Sequence, residues 1–246
     1  MSTFTGTPVQ FLASVIGGGV SAASASSVGG SSTTFTAISA STPRQAITVF
    51  HGNSLTLDYS DTLTTLLAQN QASHPALVWT GQNKGTGGIS TPALASEFSS
   101  VVHRFYNPNR LCLLQYQELG NHIQNLGASF ATARDAAISY LATARALGWK
   151  LAFHVPTPRA QKSDGGTYTD SFSAWDPGRK ATFDQCCDYF RNNPQHYDYL
   201  LDLSTATNLT DPFNTTYYDT DGCHFTAAGI TAKAAAVAAF TAALTF

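Results

Sequence analysis

At 246 residues, with 43% apolar and only 11% charged residues and a net charge of −2, the chain is long enough for one sizeable core and is clothed mainly in Ser, Thr, Asn, Gln and Gly. That balance carries no electrostatic footprint for nucleic acid or for an anionic membrane surface, and no run approaches the eighteen apolar residues of a membrane-spanning helix. A small or neutral ligand is the expected partner.

The start has a weak apolar stretch, Val9 to Ile16, without the basic flank of a secretory signal. Gly17 to Thr42 is almost entirely Gly, Ser, Ala, Thr and Val, a composition too poor in large apolar groups to offset ordering entropy. Residues 1–42 are therefore expected to form a low-complexity arm or tether, and residues 43–246 the functional domain. The arm favours an extracellular or particle-associated setting over a cytoplasmic one.

From Ala46 onward the pattern is strand then helix, repeatedly. Ala46 to Phe50 is a buried strand that stops at Gly52, and Ser54 opens a helical stretch from Leu55 to Gln69 that is interrupted near Tyr59. Leu77 to Trp79 is a second strand, running into the Gly-rich Gly81 to Gly88. Pro92 to His103 follows as a helix, and Leu111 to Tyr116 is a third strand.

Ser129 to Leu147 is the clearest helix, with Ala133, Ala137, Leu141 and Ala144 on one face, Ser129 as cap and Gly148 as stop. Leu151 to Val155 is a fourth strand, halted by Pro156 and Pro158. A helix near Ala181 to Arg191, a fifth strand at Tyr199 to Leu203 and an alanine-rich helix from Ala227 to Leu244 complete the chain.

Five apolar strands separated by helices predict parallel pairing through right-handed crossovers, a flavodoxin-like three-layer αβα sandwich of the α/β class. In such a sheet the loops after the strands gather at one edge, where ligands bind. Ser54, at the end of the first strand, is then a potential nucleophile if a base lies within reach, and otherwise only the cap of the next helix.

Asp221-Gly222-Cys223-His224 supplies such a base: an Asp three residues ahead of a His can hold one ring nitrogen and leave the other to take a proton from Ser54. Donors for an oxyanion are available in two loops that follow strands, Asn83 to Gly88 and Gly120-Asn121-His122.

These residues resemble the SGNH, or GDSL-like, hydrolase family. The family's Gly-Asp-Ser-Leu block looks like Gly52-Asn53-Ser54-Leu55, and its Asn-x-Gly-x-x-Gly block is similar to Asn83 to Gly88. Its Gly-x-Asn-Asp block looks like Leu119-Gly120-Asn121-His122, and its Asp-x-x-His block is matched by Asp221 and His224. The resemblance spans about residues 45–245.

It implies Ser54 as nucleophile, His224 as base and Asp221 as its orienting group. The oxyanion hole would be formed by the Ser54 amide, Gly88 (or, in the other register, Gly85) and the Asn121 side chain. It implies hydrolysis of short acyl esters, acetyl above all, plausibly on carbohydrate, without a cofactor. Asn53 stands where the family has Asp, Leu119 where it has Gly and His122 where it has Asp. The alternatives are a weakened or inactive module of the same fold that binds carbohydrate, or a lysophospholipase or thioesterase. Asn53, His51, Gly85, His122, Trp175 and Tyr218 are the expected walls of the substrate cleft, joined by Tyr168, Phe172 and Tyr217.

The histidines show no metal-ligand spacing and no metal is expected. The four cysteines, Cys112, Cys186, Cys187 and Cys223, contain no Cys-x-x-Cys pair; Cys112 reads as a small hydrophobe, and a disulfide among the other three is left open by their spacing.

Overall fold

The computed structural model of the protein describes residues 19–20, 40–41, 44–160 and 175–246. The chain divides into two compact units, Met1–Pro43 and Arg44–Phe246. In the first, β1 (Gly19–Val20) and β2 (Ala40–Ser41) pair antiparallel; the rest of the expected arm lies outside the described residues, as do Tyr168 and Phe172.

The second unit is built on five strands: β3 (Arg44–Gly52), β4 (Leu77–Gly85), β5 (Leu111–Gln117), β6 (Lys150–Val155) and β7 (Tyr199–Asp202). They pair in the order β4-β3-β5-β6-β7, all parallel. All seven residues of β5 are buried, as a strand covered on both faces requires. The order reverses between β3 and β5, so the crevice beyond their carboxyl ends is the place where a sheet of this kind admits a ligand.

Helices cover both faces. On one side α3 (Thr91–Val101), α5 (Phe130–Ala146) and α6 (Pro177–Asn192) pack on Ile47, Val49, Leu114, Tyr116, Phe153 and Val155. On the other, α2 (Leu63–Ser73) and α7 (Ala227–Ala242) enclose Phe50, Tyr59, Leu66, Leu201 and Val237. The three-layer sandwich is thus the observed fold. Beneath α7 three buried polar side chains span adjacent strands: Gln115 donates to Thr48 Oγ1 at 2.9 Å and meets His154 Nε2 at 2.9 Å through its own carbonyl oxygen. Burial pushes the His154 pKa down to about 3, so this ring is neutral and structural.

Most elements lie where their patterns place them. Ser129 accepts from Thr132 N at 3.3 Å to cap α5, and Gly148 follows the helix at φ +92°. The helix read from Leu55 to Gln69 is divided into α1 (Ser54–Leu57), a 3-10 turn at Asp58–Ser60 and α2. Two boundaries differ. The Gly-rich stretch after Trp79 is half strand, since β4 continues to Gly85 in register with Gly52. Gly120-Asn121-His122, read as loop, opens a helix, α4 (Gly120–Leu126). Gly and Asn are weak helix formers; this helix starts because the Glu118 carboxylate accepts the Asn121 and His122 N–H groups, at 3.2 and 2.8 Å. All four cysteines are free and buried.

Candidate active site

The turn that carries Ser54 is shaped by a glycine. A Cβ on Gly52 would run into the Gln117 carbonyl and the Thr56 hydroxyl, so only glycine lets β3 end this close to β5. Asn53 then caps α1: its Oδ1 accepts from Leu55 N at 3.0 Å, and its backbone carbonyl accepts from Thr56 and Leu57 at 2.9 and 3.2 Å. Ser54 is the first residue of that helix, half-buried at the mouth of the crevice.

The far end of α1 is held by Asn83, whose Nδ2 donates to the carbonyls of Thr56 and Leu57 at 3.0 and 3.1 Å and to Ser60 Oγ at 3.0 Å. The floor is held by α7. Lys233, fully buried, donates from Nζ to the Leu55 carbonyl, lies 3.6 Å from Asp58 Oδ2, and stands over the Tyr59 ring at 4.2 Å. Burial lowers its pKa to about 8, and the same desolvation raises that of Asp58.

Asp221 and His224 sit in a tight turn between Tyr217 and Thr226. Thr226 N donates to Tyr217 O at 3.1 Å, Asp219 N to His224 O at 2.8 Å, and Gly222 takes a left-handed φ of +66°. Thr226 also caps α7, accepting from Gly229 N at 3.2 Å. Within the turn, Asp221 Oδ1 accepts from the N–H groups of Cys223 and His224 at 2.8 and 2.9 Å, and Oδ2 accepts from His224 Nδ1 at 2.5 Å. Those bonds hold the Asp221 carboxyl well below the usual carboxylate range despite its burial. The hydrogen bond to Asp221 in turn raises the His224 pKa.

With Nδ1 occupied, His224 presents Nε2 to Ser54 Oγ at 2.9 Å across 170 residues of chain. The imidazole is 39% exposed, so the reacting edge of the pair is open to solvent. This line of hydroxyl, imidazole and carboxylate can move a proton from the serine to the ring while the carboxylate stays ionised.

The expected oxyanion donors lie on two neighbouring segments. Asn121 stands in the first turn of α4, and one hydrogen of its amide goes to Ile89 O at 3.2 Å, which ties α4 to the loop after β4. Gly88 is exposed in that loop at φ +71°. Gly85 has a different part: its N–H donates to Asn83 Oδ1 at 2.9 Å, and a Cβ there would meet the backbone of Thr56 and Leu57. It lets β4 pack directly on α1.

The expected cleft walls are corrected by the structure. His51 is wholly buried under α3 and α5, with Nδ1 2.5 Å from the Tyr140 hydroxyl and Nε2 3.1 Å from Glu97. Asn53 and His122 are buried too: the Asn53 amide donates to Glu118, and His122 donates its backbone N–H to the same carboxylate. Trp175 packs on Phe183 with the Arg159 guanidinium 4.7 Å from its ring, and Tyr218 is buried with its hydroxyl donating to Leu209 O at 2.6 Å. With Asn53, Trp175 also lines a small cavity of about 10 Å³, room for about one water molecule and no substrate. The polar atoms of His51, Asn53 and Tyr218 are bonded within the fold rather than left open to a ligand.

Glu118, Lys233, Asp58 and Arg159 were not singled out from the sequence. Glu118 alone had a signal: a carboxylate at the end of a strand whose other residues are all uncharged. Its Oε2 accepts from Asn53 Nδ2 at 2.6 Å, and burial raises its pKa to about 7.

No protein-family model matches the sequence, and no curated protein does. Solved structures do. A GDSL-like lipase from Bacteroides thetaiotaomicron superposes with a TM-score of 0.56 at 16% identity, over 79% of this chain and 87% of that one. The lipase/acylhydrolase from Enterococcus faecalis gives 0.54 at 16%, over 80% and 94%. An acetylxylan esterase from Geobacillus stearothermophilus gives 0.57 at 15%, over 82% and 95%. The parallel five-stranded sheet between helical layers, and superposition over most of both chains, lead to one conclusion: the chain has the SGNH, or GDSL-like, hydrolase fold.

Proposed function

We propose that the protein is a serine esterase that cleaves short acyl esters, acetyl in particular, through an acyl-enzyme on Ser54. The observation that carries this reading is the 2.9 Å contact between Ser54 Oγ and His224 Nε2, with Asp221 on the other ring nitrogen. Ser54 Oγ attacks the ester carbonyl carbon as its proton passes to Nε2. The imidazolium is stabilised by Asp221 and gives that proton to the departing alcohol. Water then attacks the acyl carbonyl, losing a proton to Nε2, and the acid leaves as Nε2 returns that proton to Ser54 Oγ.

Charge on the carbonyl oxygen is met by N–H donors. The amides of Leu55, Thr56 and Leu57 are engaged by Asn53, while that of Ser54 lies outside this set at the mouth of the site. The second hydrogen of the Asn121 amide and the Gly88 amide complete the proposed hole. An acetyl group on carbohydrate is the favoured substrate because the solved structures similar to this one include acetylxylan esterases.

Fluorophosphonate labelling tests the nucleophile, since only an activated serine reacts. The wild type is expected to take one label at Ser54 and to turn over p-nitrophenyl acetate, and Ser54→Ala to do neither. A wild type without label or turnover refutes the reading in favour of a module that keeps the fold without the chemistry. Acetylated xylo-oligosaccharides set against p-nitrophenyl esters of graded chain length then assign the substrate.

A further inference from the structure

We propose that Glu118 is the positioning residue of this site: a single buried carboxylate clamps the Ser54 turn to the first turn of α4, and its presence is what requires Asn rather than Asp at position 53. The proposal rests on the esterase reading for its catalytic consequence, and on geometry alone for the clamp.

Glu118 is 0% exposed and directly follows β5, where the sheet order reverses. Its Oε2 receives Asn53 Nδ2 at 2.6 Å and Asn121 N at 3.2 Å, and its Oε1 receives His122 N at 2.8 Å. One side chain therefore joins the residue before the nucleophile to the residue that carries the proposed oxyanion amide.

Asn53 is used at both ends. Its oxygen caps α1 at Leu55 N and its nitrogen reaches Glu118. An Asp at 53 would keep the cap but set a second carboxylate oxygen against Oε2 at the distance now filled by a donor. Two buried carboxylates at that separation cannot both ionise, so one must hold a proton or the turn must open. The Asn that departs from the family's block is thus dictated by a residue 65 positions away.

The charged and titratable groups around Glu118 are Arg159, from the loop after β6, whose charge favours the carboxylate, Tyr116 on its own strand and His122 on α4. Burial outweighs Arg159 and places the Glu118 ionisation near pH 7. The acid limb of kcat/KM then contains two ionisations, Glu118 and His224.

The test is a cycle of Asn53→Asp, Glu118→Gln and the double variant, read in kcat and KM for p-nitrophenyl acetate. Each single change is expected to lower kcat about 10-fold or more with KM little altered, and the double variant to exceed either, since carboxylate and amide have merely exchanged places. Recovery is partial, because Asn121 N then faces an amide nitrogen. Glu118→Gln should also leave an acid limb with one ionisation, which a purely structural contact would not do.

Asn53→Asp at wild-type activity, or losses that simply multiply in the double variant, overturns the clamp. If the wild type neither labels nor turns over, the esterase reading has failed. The same cycle read in the thermal unfolding midpoint at pH 8 then decides: coupling between positions 53 and 118 supports the clamp, and additivity overturns it.

Discussion

Ser54 Oγ and His224 Nε2 lie 2.9 Å apart, although the two residues belong to opposite ends of the folded unit. The contact is made by a strand end and a helix start that meet at one edge of the sheet. It is oriented from behind by Asp221, whose two oxygens hold the His224 ring and the backbone of its own turn. Three predictions concern this site and one the helix beneath it.

Replacing Asp221 by Asn forces an amide nitrogen either against the His224 ring N–H or against the backbone N–H groups of Cys223 and His224. Activity should fall roughly 10³-fold to 10⁴-fold. The wild-type acid limb should lie above pH 6.5, because Asp221 raises the His224 pKa, and should move down in the variant. Stability runs the other way. The raised His224 pKa contributes stability that is full below pH 6.5 and lost as pH rises through its folded value. The depressed Asp221 pKa contributes stability that is present above pH 3.8 and lost as pH falls through its own. The pair should therefore support the fold most between pH 3.8 and 6.5, where His224 is charged and catalysis is weak; thermal unfolding and kcat/KM measured over the same pH series check both.

Asn121→Ala should lower kcat about 10²-fold to 10³-fold if its amide stabilises the oxyanion. The backbone bond from Asn121 to Glu118 survives this change, so α4 should stay in place and the circular dichroism spectrum should be unaltered. A loss confined to KM would remove Asn121 from the oxyanion role.

Gly52→Ala places a methyl against the Gln117 carbonyl and the Thr56 hydroxyl. Overpacking of this kind costs about 1–3 kcal/mol and must displace the turn that presents Ser54. Urea unfolding should show the loss, accompanied by a fall in kcat; unchanged values in both would mean that β3 and β5 can separate here without consequence.

Lys233→Met leaves the Leu55 carbonyl and the Asp58 carboxylate without their cation. The expected cost is about 3 kcal/mol in urea unfolding, and Asp58→Asn in the same chain should return part of it. The pH dependence distinguishes the mechanism. A lysine whose folded pKa is about 8 against 10.5 unfolded binds fewer protons when folded, so wild-type stability gains a rising contribution across that interval that Lys233→Met lacks.

Much of the architecture was legible because its signals are local. The apolar runs at Ala46–Phe50 and Leu111–Tyr116 each stop at a turn or a change in polarity, and Ser129 and Gly148 bracket α5 by cap and left-handed stop. Asp221 and His224 were legible for the same reason, three residues apart in one turn. Where tertiary contact overrode local preference the reading failed. α4 reads as loop in the sequence because its cap is the side chain of Glu118, upstream of the helix, and its first residues are poor helix formers. β4 was cut short at Trp79 because glycines suggest a turn, whereas Gly85 is there to let a strand pack against a helix backbone.

The aromatic and histidine side chains of the loops show the limit most plainly. His51, Trp175 and Tyr218 have the composition of a binding wall, yet each is buried against partners within the fold.

Order along the chain determined the class of fold and singled out Ser54, Asp221 and His224 as candidates, since periodicity, punctuation and short spacings are properties of neighbouring residues. Only the folded molecule decided which polar groups face the crevice and which brace it. A side chain's partner, and hence its burial, charge state and reach, is set by packing between segments that may be 65 or 170 residues apart, and no local pattern encodes that distance.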